Sequence, residues 1–344
     1  LFNDRTYAVY NFAPDTALQM PLERTTGFLR GSYAINPSLE LFAQALYADY
    51  SVERQLAPVG AGIVLIPPTN PFIPRDLQVL LASRSMPNAP YRYFRRMSEV
   101  GPQSADNERR MLQWTVGVDG RFGDRWSYDV YLQHGANDRT ERMTNSVSLS
   151  RMQDLTFAPD GGASICEGGF DPFAAGALSA ECAAYVSLAA ANDVSVRQSI
   201  AEASVDGPLW TLPAGSVQVA AGVLYKKDEF DYRADPALSA LLPGVPGVIG
   251  PRPDVSGFAG APDRSGEESN TDVYVEALVP LLRERRGAES LELGLGYRYS
   301  DYSQAGGVDS YKAELTWRPL QRLGPVNAPG PAGTPRWPPA GGRP

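Results

Sequence analysis

Leu291-Glu292-Leu293-Gly294-Leu295-Gly296-Tyr297-Arg298-Tyr299-Ser300 alternates without a break between apolar side chains and polar or small ones. Successive side chains of a β-strand point to opposite faces, so this segment predicts a strand with one apolar face and one polar face. The same alternation recurs along the chain, more weakly in places. We predict nine strands, near residues 24–35, 39–53, 111–122, 126–141, 197–209, 216–232, 271–282, 289–303 and 308–318.

The lengths of the strands and of their connections indicate the architecture. Several predicted strands exceed the 5–6 residues usual in soluble proteins and reach the roughly 9–11 that a tilted strand needs to cross a membrane. Tight turns alternate with long connections at 54–110, 142–196 and 233–270, and only the connection at 304–307 is short where a long one is expected. Outer-membrane barrels alternate in this way because their periplasmic turns are short and their extracellular loops long. The sequence therefore predicts an all-β, antiparallel, up-and-down transmembrane β-barrel, present in part, with long extracellular loops.

Aromatic residues are placed as two membrane interfaces would require. Phe122, Trp126 and Trp317 lie beside the short turns, whereas a group of tyrosines lies towards the long connections, at Tyr47, Tyr225, Tyr297 and Tyr299. Strands of any kind are also rich in aromatic residues, so this observation supports the barrel without deciding it.

Composition excludes several classes of function. The net charge of -8 argues against a nucleic-acid partner, which would require a basic surface. Two cysteines and one histidine are too few for a structural zinc site, and no cofactor is expected. Five prolines interrupt the apolar stretch 57–74, which is therefore predicted to be a loop. A second stretch, 177–191, contains Glu181 and is at most a short helix within a loop.

Several segments, in order along about residues 4–320, resemble TonB-dependent outer-membrane receptors. They are Tyr10-Asn11-Phe12-Ala13-Pro14, Leu18-Gln19, Pro21-Leu22-Glu23-Arg24, Asn70-Pro71-Phe72, the turn and strand at 212–225, Glu289-Ser290-Leu291-Glu292-Leu293 through Tyr297-Arg298-Tyr299-Ser300-Asp301-Tyr302-Ser303, Tyr311-Lys312 and Leu315-Thr316-Trp317-Arg318-Pro319. No single segment is diagnostic. Their order and spacing along one chain carry the resemblance.

The resemblance implies a 22-stranded barrel in the bacterial outer membrane, closed by a plug that the TonB complex pulls. Its function would be energised uptake of a scarce ligand such as a ferric siderophore, a vitamin or an oligosaccharide. The expected partners are TonB (through a plug domain that this sequence lacks), membrane lipid and lipopolysaccharide, and a small extracellular ligand. Because nine strands cannot close a 22-stranded barrel, we interpret residues 1–323 as an internal part of one. The segment 324–344, more than half Gly and Pro, is predicted to be disordered, as a linker or as the product of a frameshift or truncation.

Two groups of residues are candidate sites. Cys166 and Cys182 fall in one predicted extracellular loop, where an oxidising environment favours a disulfide over two free thiols. The cluster Tyr91-Arg92-Tyr93-Phe94-Arg95-Arg96 combines cations with rings that stack on a catechol or a sugar. Tyr91, Arg92, Tyr93, Arg95 and Arg96 are therefore candidate ligand-binding residues. The alternative is that this loop packs on its neighbours or on lipopolysaccharide phosphates.

Two other functions compete with energised uptake. A passive, porin-like channel would share the same barrel wall and would lack a plug. An enzyme built on a barrel would need a catalytic constellation, and His134 has no evident Ser and Asp partners in the sequence. Gly60-Ala61-Gly62 lacks the strand–helix context of a phosphate loop, and the acidic residues at 160 and 263–268 lack the ligand spacing of a calcium site. We therefore expect no enzymatic activity.

Overall fold

Thirteen strands occur among the residues that the structure, a computed structural model, describes: 10–174, 178–242 and 252–319, without the side chains of 61–63. They are β1 (Leu22–Asn36), β2 (Leu39–Leu56), β3 (Gly60–Ile66), β4 (Tyr91–Arg96), β5 (Gln103–Phe122), β6 (Trp126–Val147), β7 (Ser187–Leu212), β8 (Gly215–Arg233), β9 (Leu241–Leu242), β10 (Arg252–Pro253), β11 (Arg264–Arg285), β12 (Ala288–Tyr302) and β13 (Gly306–Arg318). Nine long strands form one antiparallel sheet in the order β1-β2-β5-β6-β7-β8-β11-β12-β13.

The strand order confirms the predicted up-and-down topology. Each long strand pairs with the next long strand along the chain, as the register of every neighbouring pair shows. Short turns at 37–38, 123–125, 213–214 and 286–287 close one end of the sheet. β1 and β13 form its two edges and do not pair with each other within the described ranges, so the barrel is not closed.

All nine predicted strands are present, but several of their predicted ends are wrong. Residues 103–110, 142–147, 187–196 and 264–270 belong to strands, although the sequence placed them in loops. In these extensions both faces carry polar side chains, so the alternation that marks a strand fades. Backbone pairing nevertheless continues, and Glu267, for example, lies opposite Glu229.

The two faces of the sheet differ in chemistry and in exposure, in the opposite sense to a soluble sheet. In β5, Leu112 and Trp114 are 47% and 40% exposed, whereas Thr115 on the opposite face is 3% exposed. In β12, Leu295, Tyr297 and Tyr299 lie on the more exposed face. We call this the apolar face, and the opposite, less exposed one the polar face. A sheet curved towards its polar face and solvated by lipid on its apolar face has this pattern.

Four short α-helices lie in the described parts of the long connections. They are α1 (Arg75–Ala82), α2 (Leu149–Phe157), α3 (Ala180–Val186) and α4 (Pro236–Ser239). Ser148 begins α2 by accepting a hydrogen bond from the Arg151 amide, and Ser179 begins α3 by accepting one from the Cys182 amide, as serine does at helix N-termini. The stretch at 177–191 that was predicted to be at most a short helix contains α3 and the start of β7. No helix within the described ranges has the length and apolarity needed to cross a membrane.

The long connections 57–102, 148–186 and 234–263 pack together at the end of the sheet opposite the short turns. We call their described residues the loop assembly. The first connection contains β3 and β4, so the segment predicted to be a plain loop at 57–74 includes a strand. The first two connections share a buried core with the end of β6. Its members are Val59, Val64, Met97, Val147, Met152, Leu155, Cys166, Phe170, Leu178, Cys182, Ala183 and Val186.

Polar contacts also join the connections to each other. Gln153 of α2 donates to the Leu65 carbonyl oxygen (2.9 Å) and accepts from its amide (3.3 Å), so a side chain completes the hydrogen bonding of β3. Ser256 of the third connection donates to the Gly60 carbonyl oxygen (2.8 Å). Asp254 accepts hydrogen bonds from the Ser148 hydroxyl and from the backbone and hydroxyl of Ser150. The three connections are therefore one packed unit.

The structure joins Cys166 and Cys182 by a disulfide inside the core of the loop assembly, with their Cα atoms 5.2 Å apart. A cross-link over a separation of 16 residues contributes about 3 kcal/mol by restricting the unfolded chain. We expect mass spectrometry of unreduced peptides to find Cys166 linked to Cys182. Alkylation of both thiols in denaturant, without prior reduction, would contradict the disulfide. The Gly- and Pro-rich segment 324–344 lies outside the described residues.

Candidate functional site

The predicted aromatic–arginine cluster forms β4, which pairs with β3 inside the loop assembly. The Tyr93 hydroxyl donates to the Pro172 carbonyl oxygen, and its ring lies 6.1 Å from that of Phe173. The Tyr91 hydroxyl is buried with no hydrogen-bond partner among the described residues, and burial raises the pKa of this phenol. Both tyrosines therefore contribute mainly to packing.

Two arginines of β4 are also engaged within the protein. Arg95 forms an ion pair with Glu99, and its guanidinium lies 5.8 Å from the Phe170 ring centroid. Arg96 donates to the Pro58 carbonyl oxygen (2.8 Å) and lies over the Tyr10 ring. Arg92 is exposed and is the cluster residue best placed to meet a ligand. Ligand contact by this cluster stays a prediction.

His134 lies on the apolar face of β6. Its Nδ1 is 3.0 Å from the Ser199 hydroxyl, and its ring centroid is 5.9 Å from that of Trp114. Within the described ranges no carboxylate joins this Ser–His contact to make a catalytic triad, and the residues that pair with His134 across the sheet are Trp114 and Ser199.

A cavity of about 360 Å³ opens on the polar face, where the long strands meet the third connection. Its walls include Arg54, Arg139, Glu141 and Tyr232 from the strands and Leu238 and Phe258 from the third connection. The cavity combines charged groups with apolar surface, as ligand sites do. We call it the mouth cavity.

A row of arginines and tyrosines crosses the polar face beside the mouth cavity. Cross-strand pairing places the following residues side by side on seven consecutive strands of the sheet: Arg24, Tyr50, Arg109, Arg139, Val194, Tyr232 and Arg264. Directly paired residues share a face and lie about 5 Å apart, so their side chains form one continuous band. We call this band the arginine row.

Hydrogen bonds orient the centre of the arginine row. Arg109 donates to the Asn137 side chain (2.7 Å) and to the Tyr50 hydroxyl (2.9 Å), and its guanidinium lies 5.8 Å from the Tyr50 ring centroid. Arg139 forms an ion pair with Glu141 and donates to the Asn107 side chain. Arg109 has no carboxylate partner among the described residues.

Nearer the short turns, the polar face carries a chain of buried and half-buried polar groups. Glu202 accepts hydrogen bonds from the hydroxyls of Tyr131 (2.5 Å) and Tyr274 (2.8 Å). Tyr274 reaches Glu202 across β8, where a Cβ at Gly222 would come within 2.4 Å of its hydroxyl, so glycine leaves room for the crossing. Arg298 lies 5.8 Å from the Tyr274 ring centroid and pairs with Asp272. These contacts link the side chains of the polar face from β6 to β12, across five neighbouring strands.

A larger cavity, of about 770 Å³, opens on the other side of the sheet. Its charged walls include Asp138, Arg197, Glu229 and Glu267, which follow the apolar face towards the loop assembly. The mouth cavity is the better candidate, because the larger one faces away from the polar wall that the third connection covers.

The described residues contain no group of three or more His, Cys, Asp or Glu side chains that could hold a metal ion. Asp160, whose surroundings in the sequence lack the ligand spacing of a calcium site, accepts hydrogen bonds from the amides of Gly162 (3.0 Å) and Ser164 (2.8 Å). Hydrogen bonding to Ser164 and to these amides lowers the pKa of Asp160. Its carboxylate closes a turn.

Sequence reasoning missed the arginine row. Arg109 was placed in a loop, because the predicted third strand began at residue 111, and Arg24 and Arg139 were not singled out. A basic residue at matching heights of neighbouring strands was the available signal. To recognise this signal, the register of each strand pair must be known. The register depends on the strand ends, which the sequence pattern did not define.

Comparison with known proteins places the fold in a family. The family model described as "TonB dependent receptor-like, beta-barrel" matches residues 64–325, more than half of the chain. No curated protein sequence matches. Among solved structures, the chain is similar to the ferric-catecholate import receptor Fiu from E. coli K12 in its open form, with 10% identity and a TM-score of 0.33. The alignment covers 86% of this chain and 43% of that receptor, so the chain spans less than half of its length.

Proposed function

Since this chain belongs to the TonB-dependent receptor family of outer-membrane β-barrels, we propose that it forms part of the wall and mouth of a receptor for energised ligand uptake. The observation that carries the proposal is the family match across 64–325, which contains seven of the nine long strands and the loop assembly from residue 64 onward. The family consists of transport receptors, so we propose no catalytic role.

The division of the sheet into two faces supports this proposal. An apolar, exposed face suits contact with lipid, and a polar face rich in charged side chains suits a water-filled lumen. The loop assembly and the mouth cavity lie at the end where extracellular loops are expected. We therefore propose a location in the bacterial outer membrane, with lipid and lipopolysaccharide against the apolar face.

The proposed ligand is a scarce extracellular solute, of the class of a ferric siderophore, a vitamin or an oligosaccharide. Its passage would depend on the TonB complex acting through a plug domain. Arg92 and the mouth cavity are the proposed first contacts. A passive, porin-like channel is the second candidate, supported by the polar face alone, because a polar lumen also suits passive diffusion.

We expect uptake by cells that produce the protein to require TonB. Three labelled probes would be offered to otherwise identical cells with and without TonB: a ferric catecholate siderophore, cobalamin and a maltooligosaccharide. Energised transport predicts that at least one probe accumulates only when TonB is present. Accumulation that is equal in the two hosts would support the passive channel, and no accumulation beyond that of cells without the protein would reject both candidates.

A further inference from the structure

We infer that the arginine row binds a solute carrying several negative charges, which is a statement about the ligand class and rests on the proposed function. Arg24, Arg109 and Arg139 lie on the polar face of β1, β5 and β6. They are aligned across the sheet, because Arg24 pairs with Tyr50, Tyr50 with Arg109, and Arg109 with Arg139. Neighbouring strands are about 4.8 Å apart, so these guanidinium groups cover a width of about 15 Å. A single small anion would engage one of them, whereas a solute with separated anionic groups would engage several.

The charges around the row favour an anion. Arg54 projects from the same face of β2 and lines the mouth cavity. Glu141 is the acidic side chain of this region on β6, and it is paired with Arg139. On β8 and β11 the charge of the polar face becomes acidic, because Asp228 and Glu268 lie on that face four residues from the row. Asp228 is engaged by Lys226 (2.9 Å). The basic region is therefore centred on β1, β2, β5 and β6.

The geometry of Arg109 indicates how such a solute would be held. Asn137 and Tyr50 each accept a hydrogen bond from one N–H group of Arg109. These two hydrogen bonds fix the plane of the guanidinium without neutralising its charge. Arginine has five N–H donors, so donors remain for a carboxylate, phosphate or phenolate oxygen. The ring of Tyr50 beside Arg109 adds a flat surface on which a planar anionic group can stack.

The opposite face of the same strands provides a matched control. Arg110 pairs with Asp49 (3.0 Å), and Arg197 pairs with Asp138 (2.8 Å), both on the apolar side of the sheet. The double variants Arg109→Gln/Arg139→Gln and Arg110→Gln/Arg197→Gln therefore remove the same charge from opposite faces. A third variant, Arg109→Lys/Arg139→Lys, keeps the charge on the polar face.

The test is calorimetric titration of the detergent-solubilised 344-residue chain with inorganic tripolyphosphate, with raffinose as a neutral probe. We expect tripolyphosphate to bind, and to bind more weakly as salt is raised from about 0.05 to 0.5 M. The polar-face Gln variant should weaken binding at least about tenfold, which corresponds to about 1.4 kcal/mol, and the apolar-face variant less than about twofold. The Lys variant should recover most of the affinity.

Three results would overturn the inference: no binding of tripolyphosphate to the unaltered chain, equal binding of raffinose, or equal losses in the two Gln variants. Far-UV circular dichroism of each variant shows whether a loss reflects unfolding. A parallel titration with lipopolysaccharide separates a membrane source of phosphate from a free solute, because lipopolysaccharide should respond to the apolar-face variant. TonB-dependent accumulation of a neutral probe alone would reject this inference and leave the proposed function intact.

Discussion

Replacing Leu293 by arginine is expected to destabilise the membrane-inserted sheet by about 2–4 kcal/mol, as a cation near the middle of a bilayer does. Leu293 lies in β12 on the apolar face, paired with Val279 on one side and Leu315 on the other. An arginine there would be surrounded by hydrocarbon and by aliphatic neighbours. Urea titration of the protein refolded into lipid vesicles measures the change.

Glu292 is the matched control, because it is adjacent in sequence and lies on the opposite face. Its partners across the sheet are Pro280 and Thr316, and Glu292→Arg would place the new charge on the polar face, outside the proposed lipid. We expect a much smaller effect, within about 0.5 kcal/mol. Equal losses in the two variants would contradict the assignment of the faces.

Stability alone does not separate a membrane barrel from a soluble sheet, since both penalise a charge at Leu293. Lipid contact separates them. A spin label at position 293 should be relaxed by oxygen dissolved in the bilayer, and a label at position 292 by a water-soluble relaxation agent. If both labels report water, or if the protein stays soluble without detergent, the membrane assignment is wrong.

Replacing Phe170 by alanine is expected to destabilise the loop assembly by about 3–5 kcal/mol, the usual cost of removing a fully buried aromatic ring. Phe170 is 0% exposed in the core shared by the first two long connections, and the Arg95 guanidinium lies near its ring. Apart from Val147 at the end of β6, the long strands lie outside this core, and their backbone pairing should be unaffected. Limited proteolysis should therefore cut the connections faster while leaving the strands protected.

Phe94→Ala provides the control for this experiment, because Phe94 also belongs to the loop assembly but is 65% exposed. It should leave the rate of cleavage close to that of the unaltered protein. Similar acceleration by both substitutions would mean that the connections do not share a packed core. Loss of strand protection in the Phe170 variant would mean that the loop assembly and the sheet do not unfold separately.

The sheet was predictable because its physical cause is local. A sheet with one apolar face and one polar face requires alternation within each strand, so Leu291 to Ser300 is sufficient to identify both faces of β12. The short turns fix which strands are neighbours. The family was recognised from the order of such segments, and the match across 64–325 confirms it.

The candidate site was less predictable because it depends on pairing between distant segments. Arg24 and Arg109 come together only through β2, and Asp254 meets Ser148 across more than a hundred residues. The sequence instead drew attention to Arg95 and Arg96, whose composition suits a ligand. Their charges are engaged by Glu99 and by the Pro58 carbonyl oxygen, and no local pattern distinguishes an arginine that packs from one that is free to bind.

The contacts of Asp254 and Ser256 link any opening of the loop assembly to all three long connections. The Asp254 carboxylate holds Ser148 and Ser150, and its neighbour Ser256 holds Gly60, so one short segment ties all three connections. Displacing any one connection breaks bonds that belong to the other two, which makes their motion cooperative. Solvent access to the polar wall would then change in a single step rather than loop by loop, and backbone amides in all three connections would lose their protection from hydrogen exchange together.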